Sequence, residues 1–383
     1  MKKFFLFLFA IQMLFPISVY AVDSNELLKN AKSGILMEYS TGKILFEKDK
    51  DLKVPIASLT KMVAQIIILE KIEDGTLHWD DIVTCSSNAS SMGGTQIWLT
   101  TGEKISVEDL FKGLSMASAN DATVALAEEI AGTEEEFVKL MNDKVKSLGL
   151  KNTFFKNCTG LDEEGHFSTS YDLAIIAKEL LRHDILKYSS VYEDYIRKDT
   201  PNKFWVVNTN KLVRFYEGCD GLKTGFTDNA KYTMAVTAKR DNMRLIAIVL
   251  GEDVSKVRNQ ETTDLLDYGF ENYKLNLIKS GGEVIDVVDV SKADVEKVDI
   301  VLKDDLSVLQ KKSDKNIKYD YKVTINELTI PLSKGDVVGK IDLINNNKVI
   351  KSEDLIVLED VHKINYLEYL LTSFINVFSL NFN

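Results

Sequence analysis

The sequence predicts an α/β protein: a sheet flanked by helices with an inserted helical lobe, then a small all-β domain and a terminal amphipathic helix. Three observations carry this. Strand-like segments stand near both ends of the first 275 residues, with helical segments between them. From about residue 280, short alternating apolar runs are divided by Gly, Asn, Asp and Lys. Residues 363–383 place polar side chains at helical spacing on an apolar background. At 383 residues the chain is too long for one ordinary core and sufficient for two domains with appendages.

The elements follow in order. "MKKFFLFLFAIQMLFPISVYA" sets Lys2 and Lys3 before a short apolar run and ends on Val19-Tyr20-Ala21, as a cleaved secretion signal does. A retained anchor is the alternative, opposed by Pro16 and by the shortness of the run. "SGILMEYSTGKILFEKD" reads as two strands about a turn at Ser40 to Lys43. A helix should follow Pro55, and its residues Met62, Val63, Ala64, Ile66, Ile67, Ile68, Leu69 and Ile72 cover nearly its whole circumference, so it is central and buried. Further helices are expected at about 106–117, 121–131, 134–148 and 170–182, a strand hairpin turning at Asp241-Asn242, and a helix over about 255–272. The β domain is expected from "EVIDVVDV", "KVDIVL", "YDYKVTI", "VVGKIDLI" and "DLIVLED". At the end, Asn365, Glu368, Thr372, Asn376, Ser379 and Asn383 form one polar stripe on a helix of Ile, Leu, Val and Phe. That helix could dock on the protein, span a membrane or lie in its interface; the continuous stripe and near absence of charge favour the interface. The predicted boundaries are a signal over 1–21, a catalytic domain over 22–275, the β domain over 276–362 and the helix over 363–383.

Composition narrows the partners. The net charge of −11 becomes about −13 if Lys2 and Lys3 leave with the signal, which opposes binding to phosphate backbones, so no nucleic acid is expected. Cys85, Cys158 and Cys219 are an odd number without metal-ligand spacing, and they indicate neither a disulfide framework nor a metal site, although a single bridge stays open.

Chemistry concentrates at three short motifs. In "VPIASLTKMV", Ser58 and Lys61 stand three apart, within hydrogen-bond reach on one face of a helix's first turn. A serine hydroxyl becomes a useful nucleophile when a neighbouring base takes its proton, and a lysine can serve once burial depresses its pKa. The spacing alone is weak, because Ser40 and Lys43 repeat it in a hairpin turn. Two further elements strengthen it: Ser118-Ala119-Asn120 between two helical segments, and Lys223-Thr224-Gly225 leading into a strand. Each has a decoy, Ser86-Ser87-Asn88 and Lys279-Ser280-Gly281, that lacks those surroundings.

S-x-x-K, S-x-N and K-T-G in this order resemble the signature of penicillin-binding proteins and serine β-lactamases. The closer resemblance is to low-molecular-mass penicillin-binding proteins, the serine-type D-alanyl-D-alanine carboxypeptidases, through "PIASLTKMV", "SMGGTQIWLTTGE", "MASANDATVALAE", "GLKTGFTDNA", "MRLIAIVLG" and "PLSKGDVVGKIDL". The resemblance implies a β-lactamase/transpeptidase-like catalytic domain and removal of the terminal D-alanine from peptidoglycan pentapeptide stems through an acyl-enzyme. Ser58 would be the nucleophile and Lys61 its general base. Ser118 and Asn120 would bridge the proton path and hold the substrate amide. Lys223 and Thr224 would face the substrate carboxylate, and Gly225 would leave room for the peptide along the strand. The backbone N–H groups of Ser58 and Phe226 would form the oxyanion hole. Arg258 matches a carboxylate-binding arginine. Thr60 is assigned to local packing and His166 to a structural role. The resemblance also implies no cofactor and no metal, and β-lactams as covalent inhibitors; the signal and the striped helix imply an enzyme outside the cytoplasm, attached to the membrane surface by its last helix.

Three other readings compete. A class A β-lactamase needs a Glu-x-x-x-Asn element between S-x-N and K-T-G, and no Glu from 118 to 223 has Asn four residues on. A DD-endopeptidase acting on crosslinks would use the same motifs. A catalytically silent wall-binding protein would have no need of Ser58, Lys61 and Lys223.

Overall fold

The computed structural model describes residues 26–314 and 317–364. The predicted signal, and the predicted terminal helix from residue 365 on, lie outside the described residues. The chain divides into two compact units, with the break between Asn272 and Tyr273.

The first unit is built on an antiparallel five-stranded sheet. Its strands are β1 (Ser33–Glu38), β2 (Ile44–Lys48), β3 (Cys219–Thr227), β4 (Lys231–Arg240) and β5 (Met243–Glu252), in spatial order β2-β1-β5-β4-β3. Strand β1 pairs β5 without a break from Ser33↔Leu250 to Glu38↔Leu245, so the two ends of the unit's sequence meet at the sheet's centre. Strand β3 is left at an edge. The β4–β5 hairpin turns at Asp241-Asn242 as expected.

Helix α1 (Lys61–Glu73) is buried from Lys61 through Leu69, including the polar Lys61 and Gln65. Its apolar residues join the main core with Ile35, Met37, Ile246 and Ile248 of the sheet. The helix begins later than the sequence suggests. Residues Ala57–Thr60 form a separate 3-10 turn, because Ala57 takes a left-handed φ of 49° that an α-helix cannot contain. The helical lobe comprises α2 (Val107–Lys112), α3 (Asn120–Ala131), α4 (Glu134–Ser147) and α5 (Ser170–Leu180). Helix α2 passes into a wider π turn over Gly113–Ala117, so the helix expected to reach residue 117 changes pitch just before Ser118. Thr133 and Thr169 cap α4 and α5, each hydroxyl accepting from the amide three residues on. Helix α6 (Ser255–Asn272) closes the unit and packs its buried Leu265, Leu266 and Phe270 inward.

Among its described residues the second unit is all β. Its strands are β6 (Tyr273–Lys279), β7 (Val284–Asp289), β8 (Lys297–Leu302), β9 (Leu306–Lys311), β10 (Asp320–Ile325), β11 (Val337–Asn345) and β12 (Lys348–Val357). Strands β7-β8-β12-β11-β10 form one sheet and β6 pairs β9 in another, over a core containing Ile300, Leu302, Leu306, Ile341, Leu343, Leu355 and Val357. Strands β6 and β9 are additions to the sequence reading. Strand β6 begins directly after α6 ends, with no turn residues to announce it.

Candidate active site

A cleft of ≈ 440 Å³ opens in the first unit where the 3-10 turn, the start of α3, the loop at Thr159-Gly160, edge strand β3 and the first turn of α6 converge. Ser58, Ser118, Asn120, Thr224, Gly225, Phe226 and Arg258 all line it. Lys61 and Lys223 are not in the lining; they lie at 0% and 1% exposure.

The centre of the arrangement is the Lys61 amine. Its Nζ stands 2.9 Å from Ser58 Oγ, 2.7 Å from Asn120 Oδ1 and 2.6 Å from the Thr159 carbonyl oxygen. The last two can only accept. A neutral amine has two hydrogens and one lone pair, so donation to Asn120 and Thr159 leaves the lone pair for the Ser58 hydroxyl. Burial lowers the pKa of Lys61 from 10.5 to about 7, which makes that neutral form accessible near neutral pH. The Asn120 orientation is set from its other end, because Nδ2 donates to the Gly93 carbonyl at 2.7 Å and the backbone amide donates to Thr95. Asp121 holds the same loop by accepting from the amides of Ile97 and Leu99.

Ser118 reaches the cleft by an unusual backbone. It takes φ +66° between the π turn and α3, a left-handed conformation that a side-chain-bearing residue adopts at a cost. Such strain persists where surrounding structure enforces it, and here Ser118 joins Ser58 and Asn120 in the lining of the cleft.

Strand β3 supplies the opposite wall. A Cβ built on Gly225 would stand 2.9 Å from the Ser58 amide nitrogen and 2.6 Å from Thr233 Oγ1, so only glycine lets the strand come this close to Ser58. Lys223 donates to the Thr224 carbonyl at 3.2 Å, and its pKa is pushed well below the ordinary range, first by burial and then by the charges of Lys61 and Arg258. The Arg258 guanidinium is held by Asn259 Oδ1 at 2.8 Å and by the Thr233 carbonyl at 3.4 Å, and stands over the Tyr232 ring. Phe226 is half exposed and its ring leans on Tyr232, with centroids 4.4 Å apart. Among the described residues, no Asp or Glu lines the cleft.

The sequence-predicted residues are therefore brought together, and the decoys are not. Ser40 is exposed and its hydroxyl donates to Glu38. Ser86 caps a short helix, and Lys279 pairs with Glu283 in the second unit. Thr159, Gly160, Thr209, Tyr232 and Ser255 also belong to the cleft. Sequence reasoning missed them because no spacing pattern marks any of them. The cysteines are all free and buried. Glu70, Glu179 and His183 bring possible metal-ligand atoms within 4.8 Å of one another. They lie outside the cleft and are already engaged by Lys144, Arg182 and Glu73 respectively.

Comparison with known proteins gives a consistent result. Residues 21–254 match the model of a family described as D-alanyl-D-alanine carboxypeptidase, and residues 273–363 match one described as the C-terminal domain of penicillin-binding protein 5. The D-alanyl-D-alanine carboxypeptidase DacF of Bacillus subtilis is 42% identical over 350 residues, covering 91% of this chain and 90% of that protein. Among solved structures, penicillin-binding protein 5 from Haemophilus influenzae aligns with a TM-score of 0.69 at 33% identity, covering 87% of this chain and 98% of that one. Penicillin-binding protein D2 from Listeria monocytogenes, in its ampicillin-bound form, aligns with a TM-score of 0.58 at 31% identity, covering 63% of this chain and 98% of that one.

Proposed function

This chain belongs to the D-alanyl-D-alanine carboxypeptidase family, and from that premise we propose how its cleft removes a terminal D-alanine and where in the cell it does so. It is a serine peptidase of the penicillin-binding kind, with an acyl-enzyme mechanism. The observation that carries the residue assignments is the Lys61 amine, with two hydrogens engaged by obligate acceptors and its lone pair left to Ser58.

In the proposed reaction, Lys61 takes the Ser58 proton as Oγ attacks the carbonyl carbon of the penultimate D-alanine. The Ser58 and Phe226 amides receive the developing oxyanion. The proton then passes by way of Lys61 and Ser118 to the departing amine, the C–N bond breaks and free D-alanine leaves. Water, activated by the same base, cleaves the Ser58 ester and restores the hydroxyl. Thr224 and Arg258 in the cleft, with Lys223 behind them, receive the substrate's terminal carboxylate, while Gly225 lets the peptide run along the free edge of β3.

Penicillin treatment of the full chain followed by peptide mapping tests this. A covalent adduct is expected on Ser58 alone, and it should outlast a β-lactamase intermediate because no carboxylate lines the cleft to activate a deacylating water. An adduct on Ser40, or none on folded protein, would remove the assignment. Rapid multiple turnover of penicillin would favour the β-lactamase reading instead.

We further propose secretion through residues 1–21 and attachment to the outer face of the cytoplasmic membrane through the polar-striped helix of residues 363–383, on the sequence pattern alone. Among the described residues no helix is long and apolar enough to cross a membrane. The amide of Ile364 donates to the Lys292 carbonyl, so a truncation should end after Ile364 to spare the β unit. The truncated mature protein is expected to keep near-normal activity on small peptides and to lose affinity for lipid vesicles. Equal partitioning of truncated and full-length protein in a flotation assay would assign the helix to docking on protein.

A further inference from the structure

Thr60 and His166 lie outside the reaction described above, yet they are coupled to the nucleophile's own peptide bond. Thr60 Oγ1 donates to the Ala57 carbonyl oxygen at 2.8 Å and stands 2.7 Å from His166 Nε2. His166 Nδ1 accepts from the Lys156 backbone amide at 3.2 Å. These contacts fix every proton. An Nδ1 that accepts is unprotonated, so the neutral ring carries its hydrogen on Nε2 and donates it to Thr60. The Thr60 hydroxyl then has its single hydrogen free for Ala57.

The Ala57 carbonyl and the Ser58 N–H belong to one planar peptide unit. A hydrogen bond accepted by that oxygen pulls electron density from the nitrogen, makes the Ser58 N–H a stronger donor and holds its direction, since bonds in such a chain polarise one another. The unit is clamped on its other side as well. A Cβ on Gly160 would come within 2.0 Å of the Ala57 oxygen, so the loop presses directly on that carbonyl, and Ala57 itself is held at a left-handed φ. Thr60 and His166 are both buried, and the imidazole packs edge-on against Phe155. Burial keeps His166 neutral by lowering its pKa to about 4, so the single-tautomer arrangement persists at physiological pH.

We propose that His166 and Thr60 are positioning residues, a hydrogen-bond relay from His166 Nε2–H through the Thr60 hydroxyl to the Ala57 carbonyl that aims and strengthens the Ser58 amide as an oxyanion donor. The inference rests on the reading of Ser58 N–H as part of the oxyanion hole. It gives separate work to two residues that local packing alone would explain by volume, and it makes the hydroxyl of Thr60, rather than its size, the essential feature.

The test uses penicillin labelled with 13C at the β-lactam carbonyl and isotope-edited infrared spectra of the acyl-enzyme on the full chain. In the wild type the acyl carbonyl should absorb at lower wavenumber than the same ester in denatured acyl-enzyme, because the hole polarises it. Thr60→Val, close in volume but without a donor, should move the band to higher wavenumber and lower kcat/KM on a D-Ala-D-Ala peptide about tenfold with KM little changed. That is less than the roughly 10² to 10³ that accompany complete loss of a donor. Thr60→Ser should restore both readouts, and His166→Phe should move the band in the same direction as Thr60→Val. A wild-type band equal to that of the denatured ester would overturn the oxyanion reading and the relay with it. A polarised wild-type band that stays in place in Thr60→Val and His166→Phe would overturn the relay alone, leaving the oxyanion hole intact.

Discussion

Replacing Lys61 with methionine is expected to leave a folded protein whose acylation by penicillin and hydrolysis of D-Ala-D-Ala peptides are slower by about 10³-fold or more. General-base assistance contributes roughly 10² to 10⁴ in rate. Here the same side chain also fixes Ser58, Asn120 and the Thr159 loop through one nitrogen, so the loss should fall in the upper part of that range. The pH dependence has a defined sign. Lys61 titrates near 7 because burial penalises its charged form. Below that pH it holds a proton and cannot accept another from Ser58. Wild-type kcat/KM should therefore rise through about pH 7 and level off above it, and the methionine variant should lose that inflection along with most of the rate.

Stability supplies an independent check on the same pKa. Between the folded value near 7 and the unfolded value near 10.5, the unfolded chain binds the extra proton, so Lys61 makes the wild type more stable as pH rises through that window. The stability of the wild type relative to the methionine variant should rise over the same interval. Stopped-flow acylation and thermal unfolding, each against pH, measure both effects. A methionine variant within tenfold of wild type, or one keeping the inflection near 7, would assign the base to another group.

Ser58 and its neighbours in the cleft were legible in the sequence because they come as spaced pairs on regular elements. Ser58 and Lys61 are three residues apart, and the apolar run behind them could only be a buried helix. Lys223-Thr224-Gly225 declared itself by leading into a strand, and Gly225 proved to be where β3 touches the Ser58 amide. What stayed hidden depends on dihedral angles and long-range contact. The left-handed Ala57 and Ser118 carry no glycine to announce them, so the 3-10 turn before α1 and the pitch change after α2 could not be read locally. Thr159 contributes through its carbonyl, a group every residue possesses, and it meets Lys61 from 98 positions away. Thr60 and His166 looked like packing because the hydrogen bond joining them spans 106 positions. The β unit was visible from alternation, which depends only on neighbours, whereas β6 was concealed by its direct attachment to α6.

Amidating the terminal D-alanine of a peptide substrate is expected to lower kcat/KM by about 10² or more, and Arg258→Ala should narrow that gap. The chain as a whole is strongly acidic at −11, yet its cleft is lined by Arg258 and by no acid, with Lys223 and Lys61 buried nearby. Burial first, and then repulsion from the charges of Lys61 and Arg258, holds the pKa of Lys223 well below its ordinary range. An arriving carboxylate relieves that repulsion, and an amide does not. Burial brings Arg258 down only to about 10, so it stays charged at neutral pH, and Asn259 and the Thr233 carbonyl fix its plane. Charge-assisted hydrogen bonds of this kind contribute on the order of 1.5 to 3 kcal/mol each. Since each 1.4 kcal/mol is about tenfold in rate, losing two of them accounts for the expected factor. Removing the guanidinium deletes part of what distinguishes the two substrates, so the acid should suffer more than the amide. The deciding measurement is kcat/KM for acid and amide forms of one D-Ala-D-Ala peptide with both proteins. Equal discrimination by wild type and Arg258→Ala would take Arg258 out of carboxylate recognition. A wild type that does not discriminate would mean a cleft open beyond the terminal residue, as cleavage of crosslinks requires.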